Sequence, residues 1–173
     1  TRMLPDQGAD VIKIESPSGD LIRHFNPIRN GMSAFFLSCN RNKRSLAVDL
    51  KAAAGLEIVQ KLISTADVLV HNFRPGAAER IGLGEDAVRE IRRDIIYVSI
   101  SGFGDSGPYA GQRAYDPVIQ ALSGLAEIHT DRDTGRPRMV RTIIADKTTA
   151  LTAAQAITAA LFARERSGQG QHV

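Results

Sequence analysis

The sequence predicts an α/β fold, an open parallel sheet with helices on both faces. Segments typical of strands alternate with segments typical of helices along the chain, which is the order that βαβ units produce. The first strand-like segment, VIKIE at 11–15, has alternating character, and the last helical segment is rich in alanine. No internal repeat and no low-complexity segment interrupts the alternation.

The predicted elements follow from local patterns. Apolar residues at positions 56, 59, 62 and 63 indicate an amphipathic helix. Asp116 as a cap and Pro117 in the first turn indicate the start of another helix. Strands are expected at 11–15, 45–50, 67–71 and 95–100, and helices at 52–66, 75–84, 85–94, 116–128 and roughly 147–166, closed by Gly168.

The bulk composition predicts one globular domain over 1–173. The chain has 173 residues, of which 43% are hydrophobic and 24% are charged. No run of 18 apolar residues exists, so we expect no membrane span. The single cysteine, Cys39, excludes an internal disulfide and a thiolate metal cluster, and its apolar surroundings predict that it is buried. We therefore expect a cytoplasmic protein without a metal, and the turn-like ends suggest a piece of a longer chain.

The charge pattern leaves two interpretations open. The net charge is +3, and only five of the 22 basic residues are lysines. Arginine suits phosphate or carboxylate ligands, although a genome that prefers arginine codons gives the same excess. The cluster Arg41, Lys43 and Arg44 can hold a phosphate or form a solvated loop. Nucleic-acid binding is disfavoured, because the chain has no tryptophan and 5% aromatic residues.

Three motifs are predicted at the carboxyl ends of strands, where ligands bind in open α/β sheets. They are VDLK ending at position 51, HNFRPG beginning at 71, and SGFGDSGPY beginning at 101. Asn72 can bond an adenine edge or a turn, and Phe73 can stack on a base or fill a core. Arg80 can bind an anion or pair with Glu79 or Glu85. The glycines of the third motif lack GxGxxG spacing, so they predict a flexible loop over a site.

Asp146 is the only acid between Asp133 and Glu165, and it lies at the start of the alanine-rich helix. Two roles are compatible with this position. The side chain can cap the helix, which is worth about 1 kcal/mol, or it can act as a nucleophile. A helix N-terminus would favour the ionised carboxylate, and its free N–H groups, or those of the glycine loop at 101–107, would stabilise an oxyanion.

Six sequence blocks, in their order along the chain, resemble the CoA-transferase family III (the CaiB/BaiF family). They are GADVIKIESPSGDLIR, NRNKRSLAVDLK, ADVLVHNFRPGAAERIGLG, IIYVSISGFGDSGPY, AYDPVIQALSGL and the AD…AALFARERSGQGQHV end. The resemblance implies a Rossmann-like large domain, incomplete at both ends, and transfer of CoA from an acyl-CoA thioester to a free carboxylic acid. It also implies an interlocked homodimer without a tightly bound cofactor.

The resemblance assigns roles to individual residues. An aspartate at the place of Asp146 is the family's nucleophile, which forms a covalent intermediate. Positions that contact CoA in the family match Val48, Asp49, Leu50, Lys51, Asn72, Phe73, Arg74, Arg80, Arg113, Ala114, Tyr115 and Asp116. A basic residue that often follows the first strand is Ser16 here, which removes one nucleotide contact, and Arg23 is a candidate replacement.

The same family contains α-methylacyl-CoA racemases, which remain an alternative. Those enzymes carry a His-Asp pair where this chain has Tyr115 and Asp116. None of the four histidines lies at that position, so the chain resembles the transferase branch, which includes formyl-CoA transferase. A non-catalytic nucleotide-binding fragment is a further alternative.

Overall fold

The computed structural model describes residues 2–173, which form two compact units, 2–65 and 66–173. Each unit contains a pair of parallel strands accompanied by helices. The predicted α/β class with parallel strands is therefore confirmed. The assignment of the chain to one CoA-binding domain stays a prediction. No helix within the described residues is both long enough and apolar enough to cross a membrane.

The first unit is built around two parallel strands. Its elements are α1 (Met3–Asp6), β1 (Val11–Glu15), a 3-10 helix (Leu21–His24), β2 (Ile28–Arg29), β3 (Met32–Ser33), α2 (Ala34–Asn40), β4 (Lys43–Ala47) and α3 (Ala53–Ile63). Strands β1 and β4 pair from Val11 opposite Lys43 to Glu15 opposite Ala47. The short hairpin of β2 and β3 was not predicted, because two-residue strands carry no periodicity.

Strand β4 ends before the predicted boundary of 50. The Asp49 carboxylate accepts a hydrogen bond from the Lys51 N–H at 2.9 Å, which closes a turn in place of extended chain. Cys39, which we expected to be buried, is exposed on α2. The apolar run around it therefore does not face a core within this chain.

Glu15 is the buried charged residue of the first unit, with 6% of its surface exposed. Its carboxylate accepts two hydrogen bonds from Arg23 at 2.8 Å and one from Ser45 at 2.8 Å. The Arg23 guanidinium also lies 3.8 Å from the centre of the Phe36 ring. These hydrogen bonds, chiefly those of Arg23, outweigh burial and lower the pKa of Glu15 from 4.5 to about 2.

The second unit is larger and contains the longest helix of the described chain, α8. Its elements are β5 (Val68–His71), α4 (Ala77–Arg80), α5 (Glu85–Ile91), β6 (Ile96–Ser99), α6 (Asp116–Leu122), α7 (Leu125–Ile128) and α8 (Ile144–Ser167). Strands β5 and β6 pair in parallel from Val68 opposite Ile96 to His71 opposite Ser99. On β6, Tyr97 also exchanges backbone hydrogen bonds with residues 171 and 173, so the end of the chain lies along this strand.

The core of the second unit lies along β6. Ile95, Ile96 and Val98 are at most 1% exposed, and Val88 of α5 is fully buried. A strand that is buried on both faces has a continuous run of apolar residues, so the sequence of β6 does not alternate between apolar and polar residues. Helix α8 packs against β6 and α6, and its buried residues are Ala154, Ile157 and Ala160.

The bounds of the predicted helices differ from those observed, most clearly at three helices. The helix predicted at 75–84 is a single turn, α4, which follows Gly76 in a left-handed conformation. The helix predicted at 116–128 is split into α6 and α7 at Gly124, whose φ is 79°. Helix α8 starts at Ile144, three residues before the predicted start at 147, and ends at Ser167 as expected from Gly168.

We expect the Glu15 cluster to make the protein sensitive to acid. A carboxyl group whose pKa is lowered by folding stabilises the folded state above its ordinary pKa of 4.5. This contribution, roughly 2 kcal/mol allowing for the solvent exposure of Arg23, is lost as the pH falls from 4.5 through about 2. Urea unfolding between pH 2 and 6 should therefore show a steeper loss of stability for the wild type than for Glu15→Gln.

The matched control is Glu57→Gln. Glu57 lies on α3 and pairs only with Lys61 at the surface, where both side chains are largely exposed. Its substitution should leave the pH dependence of the free energy of unfolding nearly unchanged. An equal effect of the two substitutions would show that the buried cluster does not carry the acid sensitivity.

Candidate active site at the start of helix α8

Asp146 is the third residue of α8, inside the first turn, so it is not the N-cap. Ile143 occupies the N-cap position and makes no side-chain cap. The Asp146 carboxylate accepts no hydrogen bond from any residue of the described chain and is exposed in it. The capping role that position alone suggested for Asp146 is therefore wrong.

The cap of α8 comes from another helix. Asp116, the first residue of α6, is 5% exposed, and its Oδ2 accepts hydrogen bonds from the N–H groups of Ala145 at 2.7 Å and Asp146 at 3.1 Å. The predicted cap of Asp116 on its own helix is absent, since Tyr115 is the N-cap there without a side-chain bond. Asp116 thus fixes the backbone of Asp146 from a position 30 residues earlier in the sequence.

Gln120 completes this arrangement one turn along α6. Its Nε2 donates to Asp116 Oδ1 at 2.5 Å and to the Thr142 carbonyl at 3.1 Å, while its Oε1 accepts from the Val140 N–H at 2.8 Å. The side chain is 2% exposed. It holds the segment that leads into α8.

The two carboxylates have shifted pKa values of opposite sign. Burial raises the pKa of Asp116, but the hydrogen bonds from Gln120, Asp146 and Ala145 lower it by more, so the net direction is downward. Desolvation, followed by the negative charge of Asp116, raises the pKa of Asp146 above 3.8. This direction of the pKa shift is opposite to the one expected from the helix N-terminus alone, because desolvation and then the charge of Asp116 at that terminus act against ionisation.

The expectation that free N–H groups of α8 would stabilise an oxyanion is also wrong in this conformation. The Asp116 carboxylate accepts hydrogen bonds from the N–H groups of Ala145 and Asp146. The N–H of Ile144 donates to Thr142 and that of Lys147 donates to Ile143. The first-turn donors are therefore occupied, and the glycine loop remains as the candidate source of such donors.

The glycine loop at 101–107 lies against the start of α6. A Cβ atom placed on Gly102 would be 1.9 Å from the Cβ of Ala114, a distance that no side chain tolerates. Only glycine allows this approach of the loop to the segment before Asp116. Among the described residues, the backbone N–H groups of Gly102, Gly104 and Gly107 have no hydrogen-bond acceptor. The loop thus offers free donors beside the segment that holds α8.

The second group of predicted residues in this unit follows β5. Asn72, Phe73 and Arg74 are all exposed, and Phe73 is 37% exposed. Arg74 and Arg80 form no ion pair within residues 2–173. The alternative that Arg80 pairs with Glu85 is not observed, because Glu85 binds Arg89 and His172 instead.

The remaining predicted CoA-binding residues are distributed over both units. In the second unit, Arg113 and Tyr115 are exposed, Tyr115 at 68%, and Ala114 contacts the glycine loop. In the first unit, Val48 is buried, whereas Asp49 and Lys51 are exposed in the turn after β4 and Leu50 is intermediate. The assignment of all these residues to CoA stays a prediction. Two donors of Arg23, the candidate replacement for a basic residue at Ser16, are occupied by Glu15.

An unexpected Ser-His-Glu array lies beside β6. His172 Nε2 lies 2.8 Å from Ser99 Oγ, and His172 Nδ1 lies 2.7 Å from Glu85 Oε2. The order matches that of a hydrolytic triad, but both backbone donors near Ser99 are in use, on Val173 and on His71. The array therefore fastens the end of the chain to β6. No local sequence pattern indicates this array, because its members are far apart along the chain.

Comparison with known proteins assigns the family. Residues 1–173 match the family described as CoA-transferase family III, and the chain belongs to this family. A succinate–glutarate CoA-transferase from Agrobacterium fabrum is 39% identical over 180 residues, which cover 99% of this chain and 45% of that protein. A formyl-CoA:oxalate CoA-transferase from Streptomyces avermitilis is 41% identical over 174 residues, covering 100% and 42%. The chain thus spans less than half the length of these relatives.

Solved structures agree with this assignment. A CaiB/BaiF family protein from Brucella suis superposes with a TM-score of 0.94 at 40% identity, over 99% of this chain and 47% of that one. The Rv3272 protein from Mycobacterium tuberculosis gives a TM-score of 0.91 at 34% identity, over 99% and 48%. The family resemblance carried by the six sequence blocks is confirmed.

We expect Asp116 and Asp146 to differ sharply in their contribution to stability. Asp116→Ala removes the acceptor of two helix N–H groups and of Gln120, and should lower the free energy of unfolding by about 2–4 kcal/mol. Asp146→Ala removes an exposed carboxylate with no hydrogen bond and should change it by less than about 0.5 kcal/mol. Chemical denaturation of both variants measures the difference. Equal destabilisation by the two substitutions would contradict the assignment of the cap to Asp116.

Proposed function

We propose that this chain is part of a CoA-transferase that moves CoA from an acyl-CoA thioester to a free carboxylic acid, with Asp146 as the covalent carrier. The observation that carries the proposal is the contrast between Asp116 and Asp146, which lie close together at the start of α8. Asp116 is buried and uses both oxygens for structure, whereas Asp146 is exposed and has no hydrogen-bond partner in the described chain. Its oxygens are therefore available to attack a carbonyl carbon.

The names of the relatives favour small dicarboxylic acids as acceptors. Succinate, glutarate and oxalate occur in the names of the similar transferases from Agrobacterium fabrum and Streptomyces avermitilis. A succinyl-CoA:glutarate CoA-transferase from Mus musculus is 42% identical over 172 residues. We infer an acceptor of this class for the present protein, and a screen of acyl-CoA donors with dicarboxylic and monocarboxylic acids tests it.

The first half of the reaction forms an enzyme-bound thioester. An oxygen of Asp146 attacks the thioester carbonyl of the donor, and the C–S bond breaks to give a mixed anhydride and the CoA thiolate. The thiolate then attacks the aspartyl carbonyl and displaces the donor carboxylate. Charge that develops on the attacked carbonyl oxygen can be stabilised by the free N–H groups of the glycine loop.

The second half reverses the sequence with the acceptor. The acceptor carboxylate attacks the aspartyl thioester, which releases the thiolate and forms a new mixed anhydride. The thiolate attacks the acyl carbonyl that came from the acceptor, and the C–O bond to Asp146 breaks. The product thioester leaves, and the aspartate is regenerated as a carboxylate. Every step exchanges one acyl bond for another, so no oxidant or metal is required.

The nucleotide part of CoA is assigned to the exposed side chains around Asn72–Arg74 together with Arg80 and Arg113. Three arginines without ion pairs in the described chain supply positive charge for the phosphates. Phe73 supplies an aromatic face for the adenine.

A racemase reaction on the same scaffold is less well supported. It requires a histidine base, and the residue before Asp116 is Tyr115, which is 68% exposed. Washout of an α-deuterium from a 2-methylacyl-CoA without any acceptor acid would favour that alternative over CoA transfer.

Asp146→Asn in the complete protein should abolish CoA transfer while CoA binding persists. The amide is isosteric but cannot act as a nucleophile, so the effect should fall on kcat. Transfer is measured by the appearance of the acceptor thioester, and CoA binding by calorimetry. Asp133→Asn, at an exposed acid in the loop before α8, is the matched control and should retain activity. Near-normal turnover of Asp146→Asn would remove Asp146 from the mechanism.

Hydroxylamine should trap the covalent intermediate. When it is added with acyl-CoA to the complete protein, it should convert the activated aspartyl group into a hydroxamate on the peptide that contains Asp146. Mass spectrometry of the digested protein detects the change. An unmodified peptide after turnover would argue against an aspartyl intermediate.

We further propose that the complete protein is a homodimer. Leu122, Leu151 and Phe162 in the second unit are 56–62% exposed, which leaves apolar surface for the rest of the protein or a second copy to cover. Sedimentation equilibrium of the complete protein measures the oligomeric state directly.

A further inference from the structure

The loop Asn72–Arg74, which we propose to bind CoA, is held by the side chain of the residue that precedes it. His71, the last residue of β5, accepts a hydrogen bond from the Phe73 N–H on its Nδ1 at 3.2 Å. The rings of His71 and Phe73 are stacked, with centroids 5.2 Å apart and an interplanar angle of 24°. One side chain therefore sets both the backbone and the ring of Phe73.

The other nitrogen of His71 is held by the neighbouring strand. Its Nε2 lies 2.8 Å from the Tyr97 hydroxyl, which donates to the Leu83 carbonyl at 3.0 Å. Because the tyrosine proton is directed at Leu83, the hydroxyl oxygen accepts from His71. Nδ1 must accept from the Phe73 N–H, so the proton of a neutral imidazole lies on Nε2. All three contacts are satisfied by one tautomer and by no other.

The surroundings keep this imidazole neutral. Burial is the largest cause and lowers the pKa of His71 below 6.5. Three ionisable groups on different elements act on it in addition: Glu79 of α4 and Asp105 of the glycine loop raise the pKa of His71, and His172 of the terminal segment lowers it. Burial also raises the pKa of Tyr97 to about 12, so its hydroxyl keeps its proton.

We propose that His71 is a positioning residue for CoA, which fixes the Asn72–Arg74 loop through an acceptor at Nδ1 and is itself fixed by Tyr97. This inference rests on the proposed function, which assigns the loop to the nucleotide. With His71 covering one face of Phe73, the other face, on a residue that is 37% exposed, is left for a base to stack on. The position of that face depends on the hydrogen bond at Nδ1.

Two substitutions at His71 distinguish the role of the hydrogen bond at Nδ1 from that of the hydrogen bond at Nε2. His71→Asn places an amide oxygen the same number of bonds from the backbone as Nδ1, so it can still accept from the Phe73 N–H. His71→Gln reaches towards Tyr97 but has no acceptor near the Phe73 N–H. In the complete protein, we expect His71→Gln and His71→Ala to raise KM for acyl-CoA roughly five- to tenfold, as the loss of one hydrogen bond implies, with little change in kcat.

His71→Asn should keep KM within about twofold of the wild type, since the acceptor that sets the loop is retained. His129→Ala, at an exposed histidine of the same unit, is the control and should leave both constants unchanged. If His71→Ala does not fold, as judged by circular dichroism, the comparison of the asparagine and glutamine variants decides. Equal KM values for these two variants, or a loss confined to kcat, would overturn the proposal.

Phe73→Ala and Arg74→Ala distinguish a failure of the positioning role of His71 from a failure of the proposed function. Both should raise KM for acyl-CoA if the loop binds the nucleotide. Should they have no effect, the loop does not bind CoA and the proposed site is wrong. Should they raise KM while His71→Gln does not, the loop binds CoA but His71 does not position it.

Discussion

The carboxylate of Asp116 is the interaction on which the candidate site depends. It is buried, negatively charged and remote in sequence from the helix that it caps, so its desolvation must be offset by hydrogen bonds. Gln120 and the N–H groups of Ala145 and Asp146 provide them. The same bonds join α6 to α8 and set the direction of the first turn of α8. Without this cap, Asp146 would lie at the frayed end of a helix.

The far end of α8 is held by charge as well. Arg164 is 10% exposed and bonds to Asp67 at 2.9 Å, and Arg92 reaches the same carboxylate at 2.9 Å. Helix α8 is therefore fastened at its first turn to α6 and near its last turn to the residue before β5. A helix held at both ends keeps its first turn in place, which the proposed role of Asp146 as a nucleophile requires.

The charge of Asp116 also acts on Asp146. The negative charge of Asp116 contributes to the raised pKa of Asp146, while hydrogen bonds keep Asp116 itself ionised. The arrangement places a fully bonded carboxylate next to an unbonded one. Asp116 thus organises the start of the helix and leaves the Asp146 carboxylate free of hydrogen bonds in the described chain.

The sequence by itself determined the α/β class, the family and the approximate positions of β1, β5, β6 and α8, because these depend on periodicity, glycine and order along the chain. It also singled out Asp146 as an isolated acid at a helix start. The tertiary structure decided which acid caps that helix, which N–H groups remain free and which tautomer His71 adopts. Most of these contacts join residues 14–30 positions apart, and local patterns carry no information about them.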